Sequence, residues 1–163
     1  MNVHDMGANN LALVYSTYGD LGGTNIGPQD IGVAYYNYDT NTWGNSYLTG
    51  TTSADLFDQN GKPSAKLDNG TIAIGFSTGG IYNTDIGAQG YLDIAIAIFD
   101  PATNTYYKGQ VGSQSSEILT SVHAVGERGI FTGYITGTFG EGVQGILGEG
   151  DVITAIGAKS SSA

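Results

Sequence analysis

The chain has 163 residues, no cysteine, and 15 acidic against 5 basic residues, for a formal net charge of −10. No disulfide framework or thiolate metal centre can form, and so few Lys and Arg weigh against binding nucleic-acid phosphates or an anionic membrane surface. With 27 Gly, only 12% charged residues and many Tyr, Thr, Ile and Val, the composition suits pleated sheets and lacks the mixture that long amphipathic helices use.

The length is that of one domain with a substantial core. No apolar run reaches the roughly 18 residues of a membrane-spanning helix, so no insertion is expected. The opening Met1-Asn2-Val3-His4-Asp5-Met6 lacks the basic and apolar regions of a signal peptide. The expectation is a chain made without one, or a mature fragment.

In chain order, residues 11–17 read as a strand, followed by a Gly-rich connection at 18–29. A strand at 30–36 turns through Asn37-Tyr38-Asp39-Thr40-Asn41-Thr42-Trp43 into a return strand at 43–48. Residues 51–62 are the least regular part. A hairpin joins 64–67 to 71–77 around Asp68-Asn69-Gly70. The same order then recurs, with strands at 93–99, 106–111, 118–125 and 129–136 and a last one at 151–158.

These strands are copies of one another. Ile72-Ala73-Ile74-Gly75-Phe76-Ser77-Thr78-Gly79 aligns without a gap on Ile130-Phe131-Thr132-Gly133-Tyr134-Ile135-Thr136-Gly137 at an offset of 58. Val3-His4, Gly7, Tyr15 and Thr17 meet Val122-His123, Gly126, Tyr134 and Thr136 at 119. The strand Asp93-Ile94-Ala95-Ile96-Ala97-Ile98 is preceded by a copy at 30–35 and followed by one at 151–156. The turn from Asn37 to Trp43 is matched by Asp100-Pro101-Ala102-Thr103-Asn104-Thr105-Tyr106 at 63. A period near 60 is the mark of a propeller, solenoid or array. It divides the single repetitive β domain into a partial unit at 1–29, full units at 30–92 and 93–150, and a partial unit at 151–163.

The strand at 93–99 is apolar on both faces, with Ile94, Ile96 and Ile98 on one and Ala95, Ala97 and Phe99 on the other. A half-exposed sheet would alternate, so this strand predicts a sheet covered on both sides, its small face allowing close approach. The fold expected is all-β, built of repeated four-stranded antiparallel units and β-propeller-like, with a β-sandwich or trimeric β-prism as the alternatives. Unfinished units leave sheet edges, which predicts that copies complete one another as a homo-oligomer or polymer.

Gly22-Gly23-Thr24-Asn25-Ile26-Gly27-Pro28-Gln29-Asp30-Ile31-Gly32-Val33-Ala34-Tyr35-Tyr36-Asn37 is similar to the junction of bacterial seven-bladed-propeller-type (SBBP) repeats, with the second strand of such a unit at Ile72-Ala73-Ile74-Gly75 and Ile130-Phe131-Thr132-Gly133. Asp100-Pro101-Ala102-Thr103-Asn104-Thr105-Tyr106 resembles a kelch-type turn. The resemblance covers nearly all the chain, and implies a propeller element. Such families carry enough repeats to close a ring, whereas this chain has two complete units and two partial ones.

No catalytic constellation stands out. Gly75-Phe76-Ser77-Thr78-Gly79 fits the nucleophile-elbow pattern but is read as strand, since no helix follows. Gly140-Glu141-Gly142-Val143-Gln144-Gly145 fits the dinucleotide pattern, but its acidic residues would repel phosphate. His4 and His123 hold equivalent repeat positions and are read as structural. Asn69-Gly70-Thr71 fits a glycosylation acceptor and also a hairpin turn. Asp30, Asp93 and Asp151 each open a strand; they would cap backbone N–H groups, with Ca²⁺ ligation the other possibility. Tyr36, Tyr38, Trp43, Tyr47, Tyr106 and Tyr107 form an aromatic set that suits a glycan or protein contact, against cross-strand packing. The functional expectation is a non-enzymatic structural or assembly protein of a virion or extracellular surface structure; a carbohydrate-binding, lectin-like module is the alternative.

Overall fold

A computed structural model describes residues 1–19, 24–57, 62–82, 92–112 and 116–136, together with the backbone of a last strand at 152–158. The protein is all-β and its sheets are antiparallel, and among the described residues none of them closes into a barrel. Among the described residues no helix is long and apolar enough to cross a membrane.

Among the described residues twelve strands build three sheets. The first is the meander β1 (Asn2–Gly7), β2 (Asn10–Thr17), β3 (Asp30–Asn37) and β4 (Thr42–Thr49). In the middle sheet β7 (Ile72–Thr78), β8 (Asp93–Asp100) and β9 (Thr105–Val111) are consecutive. Two short pieces, β5 (Asp55–Leu56) and β6 (Ser64–Lys66), share the remaining edge of β7. The last sheet is β10 (Ser116–Val125), β11 (Arg128–Thr136) and β12 (Val152–Ala158). The first and middle sheets are thus four strands across. They straddle the sequence units, because each closing hairpin pairs with the opening strand of the next unit.

The repeat extends to backbone detail. Asn41 and Asn104, equivalent in the matched turns, both adopt the left-handed conformation with φ of 58° and 56°. Asn tolerates that region better than most residues. Thr40 and Thr42 share a hydroxyl contact of 2.7 Å, and so do Thr103 and Thr105. Strand register is preserved as well. Leu13 lies opposite Ala34 and Tyr36 opposite Trp43 in the first sheet; in the middle sheet the equivalents Ile74 and Ala97, and Phe99 and Tyr106, are opposite.

The sheets stack face to face, and the middle one is covered on both sides. All eight residues of β8 are buried. Ala95, Ala97 and Phe99, with Ile72, Ile74 and Phe76, pack on Ala12, Val14, Ile31 and Val33 of the first sheet. Ile94, Ile96 and Ile98 pack on Leu119, Val122 and Phe131 of the last. The doubly apolar strand is therefore the centre of the stack.

The two seams differ in kind. The first sheet places one face on the opposite face of the middle sheet, as successive propeller blades do. The last sheet is turned over. Ala73 and Gly75 are the repeat equivalents of Phe131 and Gly133, yet these two matching faces meet. A Cβ on Gly75 would stand 2.6 Å from Leu119 Cδ1 and 3.0 Å from Phe131 Cδ1. One on Gly129 would stand 2.6 Å from the Ala73 Cβ. Phe131 fills the space that Ala73 and these glycines leave. In register β12 is slipped by one residue relative to β8, placing Ala155 opposite Phe131 where the repeat would place Ile156. The outcome is a sandwich-like stack of three sheets, the alternative arrangement foreseen from sequence.

Candidate functional site

The outer face of the first sheet carries the candidate site. Side chains alternate across a strand, and directly opposed residues share a face. Since Ala12, Val14, Ile31 and Val33 turn inward, Leu13, Tyr15, Ala34 and Tyr36 turn outward. Met1, Leu13, Tyr15, Ala34, Trp43, Gly44 and Ser46 line a cleft of about 490 Å³ on this face. Ala34 and Tyr15 form its floor and are themselves nearly covered. Burial raises the Tyr15 hydroxyl above its ordinary pKa, opposed by a hydrogen bond with Ser46. Trp43 forms the wall and is 64% exposed. Its ring lies 5.0 Å from that of Tyr36, whose hydroxyl bonds Asn41 Oδ1 across the turn. None of the lining side chains is charged.

The aromatic set read from sequence is thereby divided. Tyr36 and Trp43 pair on the outer face, and Tyr38, in the adjoining turn, is 51% exposed. Tyr47 and Tyr106 sit instead in the seam between the first and middle sheets, around Phe99, at 5.8 Å and 4.9 Å between ring centres. The Tyr106 hydroxyl donates to the Tyr47 carbonyl at 2.6 Å, and burial raises its pKa far above normal. Tyr107 is 36% exposed on the edge strand β9, away from the cleft. Tyr35, in the same seam, has a buried hydroxyl with no hydrogen-bond partner, and burial pushes it up to about 12. The division follows the pleat: Tyr35 and Tyr36 are neighbours in sequence and point to opposite faces.

Of the strand-opening aspartates, Asp30 and Asp93 are buried. Asp30 accepts hydrogen bonds from the Ile26 N–H at 2.7 Å and the Gly27 N–H at 3.0 Å, a cap on the preceding turn. Asp93 accepts from Gln110 Nε2 at 2.7 Å; the same amide also donates to the Gly80 carbonyl, and Gln110 Oε1 receives the Tyr82 N–H. Asp151 lies outside the described residues. No three His, Asp or Glu side chains come together among the described residues, and both oxygens of Asp30 already face N–H donors. Sequence inspection missed Asp55, a fully buried carboxyl close to Asp30. It also missed β1 as a strand, although the equivalence of Val3-His4 with Val122-His123, inside an expected strand, carried the signal.

The remaining motifs have structural places. Ser77 is buried and its hydroxyl accepts the Leu119 N–H at 3.0 Å, tying the middle sheet to the last. His4 Nε2 lies 2.8 Å from Ser64 Oγ, joining β1 to β6, and burial holds its pKa below normal, helped by Lys66. His123 is exposed beside Ser121. Asn69 accepts the Thr71 N–H at 3.1 Å, and Gly70 has φ of 84°, which makes a turn. The glycine run at 140–145 lies outside the described residues. Set against protein-family models and curated proteins, the chain matches none.

Proposed function

We propose that the protein is a non-enzymatic assembly module of a virion or extracellular surface structure, and that its copies associate through the uncovered face of the first sheet. One observation carries this reading. Leu13, Tyr15, Ala34, Tyr36 and Trp43 are the repeat equivalents of Ile74, Phe76, Ala97, Phe99 and Tyr106, which in the middle sheet receive the first sheet. Ile74, Phe76, Ala97 and Phe99 are fully buried, whereas Leu13 and Tyr36 are only half-buried and Trp43 is 64% exposed. Around its covered floor of Tyr15 and Ala34, a surface of the kind that receives a sheet is left open at the rim.

The occupant we favour is a second copy. On a chain of net charge −10, like molecules repel except where a patch lacks negative charge, and no acidic side chain lines the cleft. Both outer sheets present the same kind of repeat face, but the last one shows Thr132 and a 37% exposed Tyr134 in place of the apolar cleft. Contact between two first sheets is self-complementary and closes as a two-fold dimer. Sedimentation velocity from micromolar to about 100 μM tests it. Wild type is expected to dimerise, and Trp43→Glu to remain monomeric with unchanged melting. A wild-type monomer throughout the range overturns the reading.

A lectin-like role is the second reading, favoured by the paired Tyr36 and Trp43 rings beside the Ser46 and Tyr15 hydroxyls. Apolar ring faces with a few placed hydroxyls match a sugar's own two-faced chemistry. A glycan array separates the two: binding lost in Trp43→Ala supports the lectin, and silence of the wild type removes it.

A further inference from the structure

The join between the first and middle sheets holds two carboxyls that the proposed association does not use. Asp30 opens β3 and Asp55 forms β5, and neither exposes any surface. They converge on Gly50: a Cβ there would stand 2.7 Å from Asp30 Oδ1 and 2.3 Å from Asp55 Oδ2. Two negative charges this close, shut from water, repel strongly.

Their surroundings differ. Asp30 receives two backbone N–H groups, which can only donate. Asp55 receives the Thr51 N–H at 2.7 Å and the Thr51 hydroxyl at 3.1 Å, and the Thr78 hydroxyl also bonds it. A hydroxyl, unlike an N–H, can turn and accept. The Thr51 and Thr78 hydroxyls already lie 2.8 Å apart, so the pair can reorient when Asp55 is protonated. The Asp55 N–H meanwhile donates to the Gln29 carbonyl at 3.0 Å, fastening β5 to the entry of β3.

We propose that Asp55 and Asp30 form a proton-operated clasp between the first and middle sheets, tightened when Asp55 takes up a proton and slackened when it gives it up. Among the described residues, the titratable groups around Asp55 are Asp30 and the hydroxyl of Tyr82, which the Asp55 charge itself raises, and no Lys, Arg or His acts on it to offset the charge.

Burial first, and Asp30 in addition, push Asp55 up to about 6 from an ordinary value of 3.8. The folded state then binds the proton more tightly than the unfolded chain. The stabilisation is complete below the unfolded value and is lost as pH rises through the folded one. Between pH 5 and pH 7.5 the folding constant should fall by about tenfold on this account. His4, held below normal, acts in the opposite direction over that range, so the readout is wild type against Asp55→Asn.

Urea unfolding of both proteins at pH 5 and pH 7.5 tests the clasp. The wild-type folding constant, relative to that of D55N, should be about tenfold larger at pH 5 than at pH 7.5. An identical pH profile for the two proteins overturns the proposal. Should D55N fail to fold, titration of the wild-type Asp55 carboxyl carbon by NMR decides: a midpoint of about 6 supports the clasp, and an ordinary aspartate midpoint overturns it.

Discussion

Substituting Gly75 by Ala tests the turned-over last sheet most directly. The new methyl would stand 2.6 Å and 2.8 Å from the two Leu119 methyls and 3.0 Å from Phe131 Cδ1. Both neighbours are 1% exposed and have little room to retreat. Overpacking of this kind costs about 1–3 kcal/mol, while replacing Gly by Ala in a strand returns roughly 0.5–1 kcal/mol. The net expectation is a loss of about 1–2 kcal/mol, or a melting temperature lower by roughly 3–7 °C for a domain of this size. Leu119→Ala alone should lose about 2–5 kcal/mol by leaving a cavity. On that background the Gly75 methyl enters the vacated space, so Gly75→Ala should become neutral or stabilising. Urea denaturation of the four proteins measures the coupling, expected to be at least ~1 kcal/mol. If Gly75→Ala has the same effect on both backgrounds, residues 75 and 119 do not meet and the last sheet is not turned as described.

Two tyrosines in the first seam should respond oppositely to loss of a hydroxyl. Tyr35→Phe removes a buried group without a partner and should gain ~1 kcal/mol, whereas Tyr106→Phe breaks a 2.6 Å bond to the Tyr47 carbonyl and should lose about as much. Equal signs in urea titrations would contradict the packing of that seam. Asp30→Ala, measured at pH 5 so that Asp55 is mostly protonated, should lose about 1–2 kcal/mol because two part-buried N–H groups are left without their acceptor; Asp30→Asn should lose less. If Asp30 is a cap, EDTA leaves the melting temperature unchanged. A drop in EDTA would restore Ca²⁺ ligation.

Much of the architecture is legible in the chain because strand patterning is local. The doubly apolar Asp93-Ile94-Ala95-Ile96-Ala97-Ile98 announces a sheet covered on both sides, and Asn41 and Asn104 announce matched turns. Each depends on residues a few positions apart, with period two and fixed turn chemistry. The aromatic site was only half legible for the same reason. Alternation separates Tyr35 from Tyr36, but which face of the first sheet meets another sheet is not a local property.

What the sequence determined by itself was the all-β class and the repeat near 60 residues. Tertiary structure alone decided which strands share a sheet, each closing hairpin joining the opening strand of the next unit, and how the sheets face one another. Repetition implies that every seam is alike, yet the last sheet meets the middle one through matching faces, because Phe131 stands where the earlier copy has Ala73 and its bulk fits against Gly75. Tertiary structure also brought Asp55 to Asp30 across a loop with no repeat equivalent. Side-chain volume and a buried charge act between residues that the linear pattern keeps apart, so only the folded chain shows which of them meet.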